Sequence, residues 1–377
     1  MPHIGLNLLF LVPDETGGME VYARHLIESL TRLRPDLRLT AFINRNAAAR
    51  RGEWNELVPS VTVPVDSRNR AAWVLADQLA LPPVAARRRI DLLHSPANLA
   101  PALGGRYRRI LTVHDLIHRT FPEAHAGPRA RALSVVMPLG IRRSHRLIAI
   151  SKATRDDLVN LLREPPEKID VIPQGLGEAH PELALAEREL RDWLGVNGER
   201  PIALSVSAKR PHKNLPRLLD ALAGIPAERR PLLVIPGYRT WHEEELREQA
   251  RRLGIEEDVR LLGWVSQAQL EGLYAGSRVF VMPSLFEGFG LPVLEAMQRG
   301  LPVACSNRSS LPEVAGDAAL LFDPERPEQI GAAITRLIED AGEAERLRAA
   351  GLAQARRFTW DETARLTAES YERALSR

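Results

Sequence analysis

The sequence predicts an α/β protein built from two doubly wound, Rossmann-like parallel sheets. Three observations carry that reading. The 377 residues are too many for one ordinary core. Short runs rich in Val, Ile and Leu alternate with amphipathic helical stretches along nearly the whole chain, the pattern of parallel βαβ units covered on both faces. The rhythm breaks once, across Pro173–Arg200, which is rich in Gly, Pro and charge. The expected plan is a first domain over residues 1–175, a linker over 176–200, and a second domain over 201–357. A closing segment, 358–377, is expected to pack back on the first domain. The two domains are expected to face one another across a cleft, with ligands beyond the carboxyl ends of the strands.

In the first domain the strand-like runs are His3–Val12, Leu39–Ile43, Val61–Val65, Asp91–His94, Ile110–Val113, Leu147–Ile150 and Asp170–Ile172. Helical periodicity fills gaps such as Met19–Leu33 and Lys152–Leu162. In the second domain the runs are Ile202–Val206, Leu232–Ile235, Val259–Leu261, Val279–Met282 and Val303–Ala304. Three helical stretches close the chain, Pro327–Glu339, Glu343–Arg356 and Asp361–Leu375.

Composition narrows the class. Apolar residues are 45% and charged residues 26%, as in a globular protein, and no apolar run reaches the length of a membrane span. The opening MPHIGLNLLFLVPDE lacks a basic leader and reads as a buried strand, so a cytoplasmic location is expected. A single cysteine excludes a disulfide scaffold and a cysteine-based zinc site. The net charge of +3 divides unevenly: residues 1–175 carry +8 and the remainder −5. Such a basic half is a solvated arginine surface, or it meets an anionic acceptor or the inner face of a membrane peripherally. Aromatic residues are only 5%, so the basic clusters lack a stacking platform and nucleic acid is not an expected partner.

Four segments carry chemistry. In Val279–Glu295, VFVMPSLFEGFGLPVLE, a buried strand runs into a glycine-bearing loop with Glu287 and then a helix with Glu295. Glycines allow close backbone approach, free amides at a helix start favour hydroxyl oxygens or anions, and both carboxylates can accept from a polyhydroxylated ligand. In Ser205–Leu215, SVSAKRPHKNL, two of the chain's four lysines sit between a strand and a helix, which suits a diphosphate. Gly17-Gly18 opens a helix after the first strand, and His114-Asp115 ends another strand. Read alone, the glycine pair is an ordinary cap, and the His-Asp pair is a structural histidine or a metal fragment.

Taken whole, the string Glu287-Gly288-Phe289-Gly290-Leu291-Pro292-Val293-Leu294-Glu295-Ala296-Met297 closely resembles the E-x7-E motif of retaining GT-B glycosyltransferases of family 4. The resemblance is tightest from Ser205 to Pro324 and looser elsewhere. It implies a GT-B fold and transfer of a hexose from a GDP- or UDP-sugar to a hydroxyl of a glycan, lipid-linked or natural-product acceptor. By the same resemblance Glu287 meets donor-sugar hydroxyls, and the backbone of Phe289, Gly290 and Leu291 helps to hold the donor. Glu295 binds the ribose and Lys213 the diphosphate. The arginine that often precedes that lysine is replaced by Ala208, so Arg210 or Lys209 is expected to compensate. Gly17 and Gly18 match a loop facing the phosphates, and His114 a residue against the donor sugar, with Asp115 able to orient its ring. The catalytic residues expected are His114, Lys213 and Glu287.

No D-x-D motif is present, so neither a metal nor another cofactor is expected. HDL at 114–116 and SLPEVAGDAAL at 310–320 resemble mannosyltransferases in particular. The resemblance also makes Ser151, Gln174 and Phe358-Thr359-Trp360 recognisable landmarks, of which the last is structural. His118 and His125 are expected at the surface and His212 beside the site without a proton-transfer role. Two other classes remain as alternatives, a nucleotide-sugar epimerase on the same scaffold and a non-catalytic nucleotide-sugar-binding protein.

Overall fold

A computed structural model describes residues 1–13, 17–50, 53–121, 128–196 and 198–376. The chain forms two compact units, Met1–Gly175 with Phe358–Arg377, and Leu176–Arg357.

The first unit holds a seven-stranded parallel sheet of β1 (His3–Leu8), β2 (Arg38–Ile43), β3 (Ser60–Thr62), β4 (Leu92–Ser95), β5 (Arg108–Val113), β6 (Arg146–Ala149) and β7 (Ile169–Val171). Their order across the sheet is β3-β2-β1-β4-β5-β6-β7. Ile4 of β1 is flanked by Leu39 of β2 and Leu92 of β4, all buried, as expected where helices cover both faces. The second unit holds six parallel strands, β8 (Ile202–Leu204), β9 (Leu232–Ile235), β10 (Val259–Leu261), β11 (Val279–Met282), β12 (Val303–Ser306) and β13 (Ala319–Phe322), in the order β10-β9-β8-β11-β12-β13. The direction of winding reverses between β1 and β4 in one sheet and between β8 and β11 in the other. Loops leaving the carboxyl ends at such a reversal diverge and leave room for a ligand.

The first strand is shorter than its apolar run suggests. It ends at Leu8 because polar side chains capture the backbone beyond it. The Leu9 N–H donates to Asn7 Oδ1 at 3.3 Å, and Asn44 Nδ2 donates to the carbonyls of Leu9 and Leu11 at 2.9 and 2.5 Å. Strand β13 lies in a segment where sequence reading placed no strand.

Residues 176–200, read from sequence as a linker, lie within the second unit. They contain the helix Glu187–Leu194, whose Leu190 and Leu194 are buried, and the Leu185 N–H donates to the Ala268 carbonyl at 3.1 Å. The closing helix Trp360–Leu375 belongs to the first unit. There the Tyr371 hydroxyl lies 2.7 Å from His94 Nδ1, Ser370 Oγ donates to Asp170 at 2.7 Å, and Thr363 Oγ1 donates to the Pro173 carbonyl at 2.8 Å. Among the described residues no helix is long and apolar enough to cross a membrane.

Candidate functional site

In the second unit the two loops at the reversal point bring the site together. The loop after β8 folds into a short turn, Pro211–Lys213, and Asn214 follows in the left-handed conformation at φ 58°. Asn214 Nδ2 donates to the carbonyls of Pro283 and Pro324 at 3.0 and 2.7 Å. The Leu285 N–H donates to the His212 carbonyl at 2.8 Å. These bonds tie the β8 loop to the β11 loop. As a result Lys213 Nζ donates to Glu287 Oε1 at 2.6 Å, with side chains only 16% and 11% exposed. His212 itself is buried and serves through its carbonyl.

Lys209 is excluded as a phosphate ligand. It is fully buried, and its ammonium donates to the carbonyls of Gly237 (2.8 Å) and Leu262. Burial pushes its pKa down to about 8. It fastens the β8, β9 and β10 loops to one another. Arg210, next in the chain, is exposed, and among the described residues its guanidinium has no hydrogen-bond or ion-pair partner.

Beyond Glu287 the chain turns at Gly290, whose φ of 110° favours glycine; a Cβ there would also meet Leu311 Cδ2 at 2.7 Å. Gly290 opens the helix Leu291–Gln298, in whose first turn Pro292 has no N–H and the Val293 N–H donates to the Gly290 carbonyl at 3.0 Å. Phe289 is buried against this turn. Ser310 Oγ lies 2.9 Å from the Glu287 carbonyl and 2.7 Å from that of Phe289, and Ser309 Oγ donates to the Glu287 carbonyl at 2.7 Å. Both serines fix the backbone that carries the carboxylate.

Glu295, one turn into the helix, accepts from the Tyr274 hydroxyl at 2.9 Å. Burial pushes its carboxyl pKa up, against the pull of Tyr274 and Arg299. The Arg299 guanidinium lies over the Tyr274 ring, 4.7 Å from its centroid, and is held by both oxygens of Glu271 at 2.7 and 2.5 Å. Sequence reading missed Tyr274, Arg299, Glu271, Ser309 and Ser310. The single available signal was the helical spacing of Glu271 and Tyr274, which puts both on one face.

In the first unit Gly17 caps the helix Gly18–Leu33 at φ 63°, and no atom of the described residues lies within 4 Å of a notional Cβ on either Gly17 or Gly18. His114 follows β5. Its Nε2 lies 2.8 Å from the Pro96 carbonyl and its backbone N–H donates to Asn98 Oδ1 at 2.6 Å. The Tyr22 ring meets it edge-on at 4.9 Å. Burial lowers the imidazole pKa, so the ring is neutral, and donation from Nε2 to Pro96 leaves a lone pair on Nδ1. Asp115 does not orient this ring. Its Oδ1 accepts from the Ile117 N–H at 3.1 Å at the start of the next helix, because a short acid two residues upstream is well placed to cap it.

The other sequence candidates are structural. Ser151 accepts the Thr154 N–H at 3.0 Å as a helix cap, and Gln174 is buried. Burial pushes the Cys305 thiol up to about 12. His118 is half-buried and His125 lies outside the described residues. Among the described residues no three His, Cys, Asp or Glu side chains converge as a metal site.

Comparison with known proteins places the chain in a family. Residues 186–354 match the family model described as glycosyl transferases group 1, and residues 16–177 match that of glycosyltransferase family 4. The chain is 35% identical over 276 residues to the O-antigen chain mannosyltransferase B of Escherichia coli, covering 70% of each chain. It is 29% identical over 283 residues to the serotype-specific mannosyltransferase WbdA of Escherichia coli, covering 73% of this chain and 34% of that longer relative. The solved structure of Anabaena Alr3699/HepE in complex with UDP and glucose superposes with a TM-score of 0.74 at 22% identity, covering 99% of this chain and 100% of that one. The chain therefore has the GT-B fold and belongs to the glycosyl transferases group 1 family, among its mannosyltransferase-like members.

Proposed function

We propose that the protein is a retaining, metal-independent hexosyltransferase that moves mannose from a nucleoside diphosphate to a hydroxyl of a glycan, whether free, lipid-linked or part of a natural product. GDP-mannose is the first donor to test and UDP-sugars the second. The observation that carries the reading is the Lys213–Glu287 pair, a cation and a carboxylate on the loops that follow the two strands flanking the reversal point of the second sheet. A cation there suits a diphosphate, and a carboxylate beside it suits sugar hydroxyls. The names of the two mannosyltransferases support the sugar assignment, and the UDP and glucose of the structural neighbour support a nucleotide-sugar donor.

The roles follow from the chemistry. Transfer breaks the bond between the anomeric carbon and the diphosphate oxygen and forms one to the acceptor oxygen on the same face. The acceptor proton goes to the departing phosphate, so no protein nucleophile is assigned. Negative charge grows on the leaving group, where Lys213 and Arg210 are assigned to stabilise it; Gly17-Gly18 carries the phosphate-facing role that the family resemblance implies. An ammonium has three donors, so Lys213 can keep Glu287 with one and offer the others to phosphate oxygens. Glu287 is assigned to donor-sugar hydroxyls, which fixes the ring for attack; His114 carries the sugar-facing role that the family resemblance implies. The amides of Phe289, Gly290 and Leu291 are assigned to the donor, and Glu295, braced by Tyr274, to the ribose.

The test is an incubation with GDP-mannose and UDP-glucose over a panel of mannosides, following nucleotide release and reading the product anomer by nuclear magnetic resonance. Acceptor-dependent release with retained configuration, unaffected by a chelator, is the expected result. Nucleotide or epimer released without any acceptor points to an epimerase, and binding without turnover to a binding protein. Either outcome overturns the proposal.

A further inference from the structure

The positive charge of the first unit is not spread evenly. It gathers at the amino-terminal end of its sheet, opposite the end where ligands bind. Arg87 and Arg88 precede β4, Arg106 precedes β5, Arg109 lies at its start, and Arg142 and Arg143 precede β6. Because the strands are parallel, these residues share one edge. Between them lies an open depression of about 480 Å³ lined by Leu103, Arg106, Arg109 and Arg143 with small residues, Ala86, Ala102, Gly104 and Gly105, as its floor.

None of the arginines in this depression has a carboxylate partner among the described residues. Arg109 is held only by carbonyls, those of Arg143 at 3.2 Å and Gly104 at 2.9 Å. Burial and the neighbouring Arg143 both work against its charge. Two acids at this end of the sheet are committed elsewhere: Glu164 to Lys168 at 2.6 Å, and Asp91 to the His3 N–H at 2.7 Å. This edge is therefore a cationic basin short of anions, unlike the second unit, where arginines such as Arg299 and Arg230 are matched to acids.

The rim is apolar. Leu103 is 60% exposed on the lip, and Leu139, 46% exposed, sits one helical turn before Arg143 on the same face. Guanidinium groups bind phosphate oxygens in two-pronged fashion, and leucines beside them gain by entering an acyl layer, whereas a free anion would gain nothing from them. We propose that this amino-terminal edge of the first unit docks on an anionic phospholipid surface, with Arg106, Arg109 and Arg143 receiving a lipid phosphate and Leu103 and Leu139 entering the interface.

The experiment is co-sedimentation of the full chain with vesicles of phosphatidylcholine alone, and of equal parts phosphatidylcholine and phosphatidylglycerol. Binding is expected only to the second. The Arg106→Gln/Arg143→Gln variant is expected to partition about twenty-five-fold less, roughly a factor of five for each cation near a charged bilayer. Leu103→Ser, at an exposed position that folding does not need, is expected to weaken binding while leaving thermal stability and nucleotide affinity unchanged. Removing the same charge at Arg251 and Arg252 of the second unit is expected to change little. The inference is overturned by equal binding to both vesicles, or by equal loss in the Arg251/Arg252 control. It is also overturned if inorganic phosphate competes fully while Leu103→Ser binds like the parent, which would make the basin a site for free anions.

Discussion

Lys213 is asked to do two things, neutralise Glu287 and hold a diphosphate, and the two can be separated. Replacing it by Met keeps the stem and removes the charge, which leaves the Glu287 carboxylate enclosed without its cation. Breaking a fully buried pair costs roughly 3–5 kcal/mol. With side chains 16% and 11% exposed, the pair is partly screened, and we expect a loss of about 2 kcal/mol. For a unit of this size that is a fall of about 4–8 °C in melting temperature. Nucleoside diphosphate affinity should fall at least about tenfold, 1.4 kcal/mol, because a charge-assisted contact to phosphate is lost.

Glu287→Gln in the Lys213→Met background then removes the orphaned charge. Stability should recover by about 1–2 kcal/mol, since the neutral amide no longer needs a cation. Nucleotide affinity should stay low. Thermal unfolding and calorimetric titration with GDP and UDP measure both quantities on all four proteins of the cycle, without any need for the acceptor. If affinity recovers along with stability, Lys213 acts only by shaping the loop and the phosphate assignment is refuted. If Lys213→Met binds nucleotide like the parent, the donor site lies elsewhere.

Three further outcomes are expected. Glu295→Gln keeps an acceptor for the Tyr274 hydroxyl but loses a charge-assisted acceptor for the ribose, so calorimetric nucleotide affinity should fall by about tenfold at unchanged melting temperature. Burial pushes the Asp77 carboxyl from an ordinary 3.8 up to about 7, against its bonds from Asn7 and Gln78. The folded state therefore holds that proton more tightly than the unfolded chain: its contribution is complete below about pH 4 and is lost as the pH rises through 7. Urea unfolding should show the parent losing on the order of 3 kcal/mol from about pH 5 to about pH 8 through this group, and Asp77→Asn losing none of it. Gly175→Ala would place a Cβ 2.3 Å from the Trp360 nitrogen and 2.7 Å from the Thr359 carbonyl carbon. Backbone cannot yield there, so protease should release the closing helix at temperatures where the parent resists.

What the sequence made legible was periodic or glycine-bearing. The alternation of strand-like and helical runs gave both parallel sheets, and the glycine-bearing loop between β11 and its helix marked Glu287. Strand limits were less legible. The run His3–Val12 is apolar throughout, and only the long-range amides of Asn44 and Asn7 end the strand at Leu8. Partners drawn from distant segments were equally hidden: nothing local in the sequence links Ser310 to the carbonyls of Glu287 and Phe289, or Tyr274 to Glu295.

The two lysines of one loop show where the limit lies. Lys209 and Lys213 stand four residues apart, and residue type alone offers no way to rank them as phosphate ligands. Their environments differ through backbone geometry. The strand direction sends Lys209 down among the carbonyls of Gly237 and Leu262, where an ammonium satisfies three loops and cannot leave without orphaning them. The left-handed Asn214, pinned to Pro283 and Pro324, turns the chain so that Lys213 reaches Glu287 instead. A lysine bonded to neutral carbonyls is committed to the fold, and one bonded to a single carboxylate keeps two donors for a ligand. Asn214, rather than either lysine, is therefore the residue that decides which of the two reaches Glu287.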